Sequence, residues 1–204
     1  MTQAKSRVGI VMSSTREGRF ADKPAQWIRD LAAKRGDFDA EVIDLRDYPL
    51  PLFAEPMSPA YAPPANEVAR RWSAKAASMD GFIFVTAEYN HGPTAAMKNA
   101  LDHLYHEVTR KPAAYLGYGG VGAARAIEQL RLVSVELQMA PLRSAVHISG
   151  ADFMDLWRGG KTFAEKPHLI QAGEAMLDEL AWWTTVLKAA READAAERTE
   201  EMAA

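Results

Sequence analysis

Cysteine is missing from this 204-residue chain. That excludes disulfides, thiolate nucleophiles and cysteine-held metal together. An excess of either charge is missing too. Lys and Arg number 24 against 27 Asp and Glu, a net charge of −3, and no polybasic stretch offers a footprint for nucleic acid. No apolar run approaches the roughly 18 residues that a membrane helix needs. The segment Met1 to Arg7 is polar and no signal-type apolar region follows it. A cytoplasmic protein without membrane or nucleic-acid partners is therefore expected. The Walker-A ending Gly-Lys-Ser/Thr, the Gly-x-Ser-x-Gly elbow of hydrolases and the His-Glu-x-x-His and His-x-x-Glu-His zinc signatures are all absent. These absences argue against nucleoside-triphosphate, serine-hydrolase and zinc chemistry.

What is present is ordinary globular composition, 48% hydrophobic and 25% charged, enough to bury one domain's core. Short apolar runs at 8–12, 41–45, 81–85, 112–117 and 145–148 read as buried strands. Between them lie helical spacings. Asp22 is a plausible N-cap with Pro24 in the first turn and Gly36 at the end. Val68, Trp72, Ala76 and Met79 mark a second helix. Met97, Ala100, Leu101 and Leu104 mark a third, and Ala126, Leu130, Val133 and Leu137 a fourth. Ile170, Gly173, Leu177, Leu180 and Leu187 share one face of a long closing helix. Two stretches read as irregular, 149–167 and 49–64, and the latter carries six of the eleven prolines.

Five strands alternating with five helices imply a parallel sheet covered on both faces. The five-stranded choice is the flavodoxin-like doubly wound order 2-1-3-4-5. Residues 1–192 would form that domain, with 193–204 a charged tail or helix extension. In such a sheet ligands bind beyond the carboxyl ends of the strands, near the switch between the first and third. Three unusual loops, after the first, third and fourth strands, converge there.

The first loop, Ser13 to Arg19, precedes a helix and holds hydroxyls, backbone N–H groups and the fork-shaped donors of Arg16 and Arg19. Such a loop suits an anion, although two solvated arginines are the plainer account. The third, Gly117-Tyr118-Gly119-Gly120-Val121-Gly122, fits G-x-G-x-x-G literally. It follows the wrong strand for a dinucleotide fingerprint, and no ribose-binding acid ends the next strand. A tight turn needing positive φ explains it, and so does a bare backbone surface on which a flat ring can lie; we favour the bare surface. The second loop, Ala87 to Pro93, holds Glu88, Tyr89, Asn90 and His91. General acid–base work has no evident partner there. His103 and His106 read as lining a helix face or its C-terminal end. What remains is a grip on an aromatic ligand, or a capped turn.

Together the three loops resemble the NADPH-dependent FMN reductase family, over roughly Arg7 to Leu187. The segment EYNHGPTAAMKNALDHL is similar to the family's Pro-Glu-Tyr-Asn … Leu-Lys-Asn-Ala-Leu-Asp stretch. GYGGVGAARAIEQLR resembles its Gly-Gly-x-x-Gly-x-Arg-Ala … Leu-Arg. The resemblance implies that Ser14, Arg16 and Arg19 hold the FMN phosphate. It places Glu88, Tyr89 and Asn90 against the flavin, chiefly through backbone groups, and Gly119, Gly120, Val121 and Gly122 along its other edge. It also implies NADPH or NADH as donor, a small-molecule electron acceptor, and a homodimer or homotetramer. No protein residue is expected to be the catalyst, since the cofactor carries the chemistry. Ser13, Ala87, Ala123 and Ala124 depart from the family pattern. Phe53 or Tyr61 of the proline-rich stretch could stack on a ring at the mouth of the site, or pack elsewhere. The rival readings are a flavodoxin-type electron carrier and a flavin-free protein that keeps the fold.

Overall fold

The computed structural model describes residues 5–203. Residues 1–4 of the polar N-terminal segment, and Ala204, lie outside the described residues. Five parallel strands, β1 (Ser6–Met12), β2 (Phe38–Asp44), β3 (Gly81–Ala87), β4 (Pro112–Gly119) and β5 (Ala140–Ser149), form one sheet in the order β2-β1-β3-β4-β5. The expected flavodoxin-like sheet is therefore the observed one. Alternation on the strands divides two cores. Ile83, Val85, Leu116 and Tyr118 face α1 (Asp22–Arg35), α5 (Gly150–Arg158) and α6 (Pro167–Ala203). Phe82, Phe84 and Tyr115 face α2 (Glu67–Ala77), α3 (Ala95–Asp102) and α4 (Ala124–Glu136). Gly173 lies on the buried stripe of α6 because α1 crosses it closely; a Cβ there would stand 2.9 Å from Leu31 Cδ2.

Several sequence expectations are corrected. β5 runs ten residues rather than four. It is an edge strand, so Arg143 and Ser144 interrupt its apolar run while their N–H groups are met by the Glu179 carboxylate. Residues 150–158, read as irregular, are the helix α5, which makes six α-helices among the described residues. Eight residues between Gly150 and Gly159 are too short a window for periodicity to declare itself. Asp22 is not the N-cap of α1: Ala21 precedes the helix without a side-chain cap, and Asp22 is held by Arg19.

The proline-rich stretch is strapped along α3. Asn99 accepts from Phe53 N (2.9 Å) and donates to Pro51 O (2.8 Å). His103 donates to Pro51 O at 3.1 Å and His106 to Ala60 O at 3.0 Å. Phe53 packs edge-on against His103, while Tyr61 is exposed to solvent. Neither ring lines the cleft described next. The two adjacent tryptophans diverge: Trp183 packs against the sheet core and Trp182 faces out.

Candidate functional site

The carboxyl ends of β1, β3 and β4 open into a cleft of about 300 Å³, lined by Ser14, Arg16, Arg19, Glu88, Tyr89, Gly119 and the aromatic rings of Phe20, Tyr118, Phe153 and Trp157. Six of the ten expected site residues therefore meet in it. Asn90, Gly120 and Val121 are exposed beside it, and Gly122 is buried behind it.

After β1 the chain leaves its strand at Ser13, whose N–H donates to Val85 O. Arg19 then shapes the loop. Its side chain is 3% exposed, and all five N–H donors of a guanidinium are engaged. Nε and Nη2 reach Asp22, Nη1 and Nη2 reach Asp44 at 2.6 and 2.5 Å, and Nη1 also reaches Ser14 O at 2.8 Å. Hydrogen bonds to Asp44 and Asp22 hold the guanidinium firmly charged. Burial alone would push the Asp44 carboxyl up, but Arg19 and the Arg46 N–H bring it below the ordinary carboxylate range. All of the Arg19 donors are thus engaged within the protein. Arg46, which sequence reasoning did not single out, grips the carbonyls of Thr15 and Arg16 from the turn after β2.

Three successive carbonyls are thereby drawn to arginines. None of the N–H groups of residues 14–18 donates to another backbone carbonyl among the described residues. Arg16 is exposed; its guanidinium stands 6.0 Å from the Tyr89 ring centroid. The Ser14 hydroxyl lies 3.2 Å from the Tyr89 hydroxyl. Unspent N–H groups beside an unpaired guanidinium are what an anion requires.

After β3 the chain makes a two-residue hairpin turn. Tyr89 and Gly92 exchange backbone hydrogen bonds of 3.0 and 3.1 Å. Asn90 (φ 51°) and His91 (φ 67°) both sit in the left-handed region, the signature of a type I′ turn. Neither is glycine, so the turn carries about 1–2 kcal/mol of strain per residue. Side chains hold it in place. Arg125 Nη1 donates to His91 Nε2 at 2.9 Å and Gln129 donates to His91 O at 2.7 Å. His91, unassigned from the sequence, is therefore part of the clamp between this turn and α4.

Glu88 is the centre of that clamp. Ala123 precedes α4 with φ 56° and no side-chain cap. The Glu88 carboxylate supplies the cap from the neighbouring loop, accepting from Arg125 N (3.1 Å), Ala126 N (3.4 Å) and Arg125 Nε (2.5 Å). A negative charge at a helix start also meets the favourable end of the dipole. Burial opposes ionisation, yet the Arg125 side chain and the two N–H groups hold the carboxyl below its ordinary value. A carboxylate so engaged is a poor proton carrier.

After β4 the glycines divide two tasks. A Cβ on Gly119 or Gly120 would meet nothing within 4 Å, so this backbone is a bare, open surface. Gly122 is instead a turn glycine with φ 62°, where a Cβ would stand 2.8 Å from His147 Cβ. The aromatic wall from α5 was also missed. Phe153, Leu156 and Trp157 fall at i, i+3 and i+4, a signal present but too brief to weigh.

The chain is similar to several known proteins. Residues 6–153 match the family described as NADPH-dependent FMN reductase. The chain is 37% identical over 144 residues to a NAD(P)H-dependent FMN reductase of Schizosaccharomyces pombe, across 69% of this chain and 72% of the relative. It is 31% identical over 140 residues to a 2-hydroxy-1,4-benzoquinone reductase of Burkholderia sp, across 65% and 72%. Among solved structures, the flavoenzyme NAD(P)H:(acceptor) oxidoreductase FerB from Paracoccus denitrificans superposes with a TM-score of 0.64 at 21% identity, covering 86% of this chain and 97% of that one. At that identity the likeness speaks for the fold alone.

Proposed function

The chain belongs to the NADPH-dependent FMN reductase family, and from that premise we propose that it binds FMN in the cleft, takes reducing equivalents from NAD(P)H and passes them to a small acceptor. One observation carries the reading: unspent N–H groups and the unpaired Arg16 stand at one end of a cleft bordered by the bare backbone of Gly119 and Gly120. The first feature suits a phosphate dianion and the second a flat ring, so the residues present fit the group.

Ser14, Arg16 and the N–H groups of residues 14–18 would hold the phosphate. Arg19 would neutralise Asp44 and, with Arg46, position that loop rather than touch the ligand. Tyr89, Asn90 and the Gly119–Gly120 backbone would lie along the ring, with the Glu88–Arg125–His91 clamp fixing the turn. The bound flavin supplies the hydride-accepting chemistry that no side chain here offers. The protein's share is to orient the partners and keep water from them, and a carboxylate as occupied as Glu88 is not needed as an acid.

A visible spectrum of the purified protein before and after FMN addition, followed by NADPH oxidation with a quinone, tests the proposal. A protein that stays colourless and fails to bind FMN defeats it; FMN binding without NADPH oxidation favours an electron carrier. Arg16→Ala is expected to weaken FMN about tenfold through loss of one charge-assisted contact, with no change in melting temperature because Arg16 is exposed.

A further inference from the structure

We propose that a second cavity, between α1 and the α5–α6 connection, is a binding site for a planar aromatic carboxylate. It is separate from the cleft, and the proposal does not depend on the FMN reading.

The cavity measures about 530 Å³ against about 300 Å³ for the cleft, and no residue lines both. Small-molecule sites run from about 300 to 1,000 Å³. α5 divides the two: Phe153 and Trp157 line the cleft, whereas Leu156 lines the cavity. Lys23, Gln26 and Trp27 of α1 form one side, and Lys161 and Phe163 close it from the α5–α6 connection. The wall from Leu156 to Ala164 follows the stretch matched to the family, residues 6–153.

Its apolar part is a pair of rings. Trp27 and Phe163 stack at 4.4 Å between centroids and 6° between planes, and both are half-buried. Each ring covers one face of the other, and what remains of both borders the cavity. A parallel aromatic pair at the edge of a concave site takes a further ring by offset stacking or by an edge-to-face contact.

The polar part is cationic. Lys161 Nζ is paired only loosely, with Asp155 at 3.9 Å, and its side chain is half exposed. That gap is too long for a hydrogen bond, and Asp155 is already met by Lys166 at 2.6 Å. Lys23 spends two of an ammonium's three donors on Leu156 O at 2.6 Å and Trp157 O at 3.3 Å, which leaves one. Asp30 is the one acid among the lining residues. It accepts from Gln26 at 2.9 Å and from Arg29 at 2.9 and 3.2 Å, so its charge is already met. Two lysines with donors to spare beside two rings complement a ligand that is flat, aromatic and negative at one end.

The connection is held before any ligand arrives. Gly159 closes α5 at φ 77°, and the N–H groups of Gly160 and Lys161 return to Asp155 O at 3.0 and 3.4 Å. The Glu165 carboxylate accepts from Thr162 N at 2.8 Å and from Thr162 Oγ1 at 3.0 Å. Lys166 ties Asp152 and Asp155 of α5 to the start of α6. Lys161 and Phe163 are thus presented on a fixed turn, and little entropy is lost in ordering it on binding. The ligand's ring lies against Trp27 and Phe163, and its carboxylate meets Lys161 and the remaining Lys23 N–H.

The test is calorimetric titration with 2-naphthoate and, as its neutral counterpart, 2-naphthylmethanol. Wild type is expected to bind the acid about fivefold more tightly than the alcohol, the span of an exposed ion pair. Lys161→Ala should remove most of that preference and leave alcohol binding unchanged. Phe163→Ala should weaken both about tenfold, the loss typical of an aromatic contact. Where a thermal melt shows Phe163→Ala to be unfolded, Lys161→Ala decides alone, since its side chain is exposed. Arg16→Ala, which alters the cleft, should bind the acid as wild type does, and FMN should not displace it. No binding of either probe, equal binding of the two by wild type, or acid binding untouched by Lys161→Ala overturns the proposal. Loss of the acid on adding FMN, or in Arg16→Ala, overturns it too, by placing the acid in the cleft. If FMN does not bind at all, the reading of the cleft fails while Lys161→Ala and Arg16→Ala still decide this one.

Discussion

Removing Arg19 should cost stability in the protein without any ligand. Its guanidinium is 3% exposed and bonds two carboxylates and a carbonyl; Asp44 is 21% exposed and Asp22 58%. The Asp22 arm is a surface pair, worth at most about 1 kcal/mol. The Asp44 arm is more deeply placed. Arg19→Ala strands that carboxylate and the Ser14 carbonyl, and breaking a buried pair from one side costs about 3–5 kcal/mol. Because Asp44 keeps some solvent and the Arg46 N–H, about 3 kcal/mol in total is the expected loss. For a chain of this size that is a fall of about 6–12 °C in melting temperature. Asp44→Asn alone strands Arg19, so the double variant should be less destabilised than the sum, with a coupling of about 1.5 kcal/mol or more. The sign with pH follows from the carboxylates. Asp22 and Asp44 are both held below the ordinary value of 3.8, so their contribution is full above that value and lost as pH falls through their folded values. The Arg19→Ala deficit should therefore shrink in acid. Urea unfolding of the flavin-free proteins at neutral and acid pH measures all of this. If Arg19→Ala leaves flavin-free stability unchanged and lowers only FMN affinity, the guanidinium serves the ligand and the reasoning is wrong.

Three other variants probe the site. Glu88→Gln should lose about 1–2 kcal/mol at neutral pH through the weakened cap on α4. Since Glu88 is held below its ordinary 4.5, the difference from wild type should vanish in thermal melts taken well below that pH. Tyr118→Phe removes a buried hydroxyl that lies beside Ser14 and has no hydrogen-bond partner of good geometry among the described residues. The flavin-free melting temperature should hold or rise; a clear fall in a thermal melt would mean that Ser14 already satisfies the hydroxyl. Gly122→Ala sets a Cβ 2.8 Å from His147 Cβ at φ 62°. It should cost about 2–4 kcal/mol by crowding and left-handed strain, read from the urea midpoint.

The sheet was legible because its signal is local. Each inner strand is an apolar run bounded by polar loops, and the alternation with helices leaves one common order. Where a strand lies at the edge, as β5 does, half its positions face water and the run breaks at Arg143 and Ser144. The convergence of three loops was legible for the same topological reason. What each loop residue does was less so. The capping duty of Glu88 is not visible locally, because the helix that it caps begins 36 residues later, at Ala124. Arg19 and Arg16 look alike in a sequence, since both are arginines in one polar loop.

By itself, then, the sequence determined the parallel sheet, its order and the edge at which three unusual loops meet. Those follow from hydrophobic periodicity and from the handedness of crossovers, both properties of neighbouring residues. Only the tertiary structure decided which charges are spent. Arg19 is consumed by Asp44 and Asp22, Glu88 by the start of α4, and His91 by Arg125, whereas Arg16 keeps its guanidinium unpaired among the described residues. A charged or polar group is available for chemistry only when no internal partner has already satisfied it, and those partners come from segments distant in the chain.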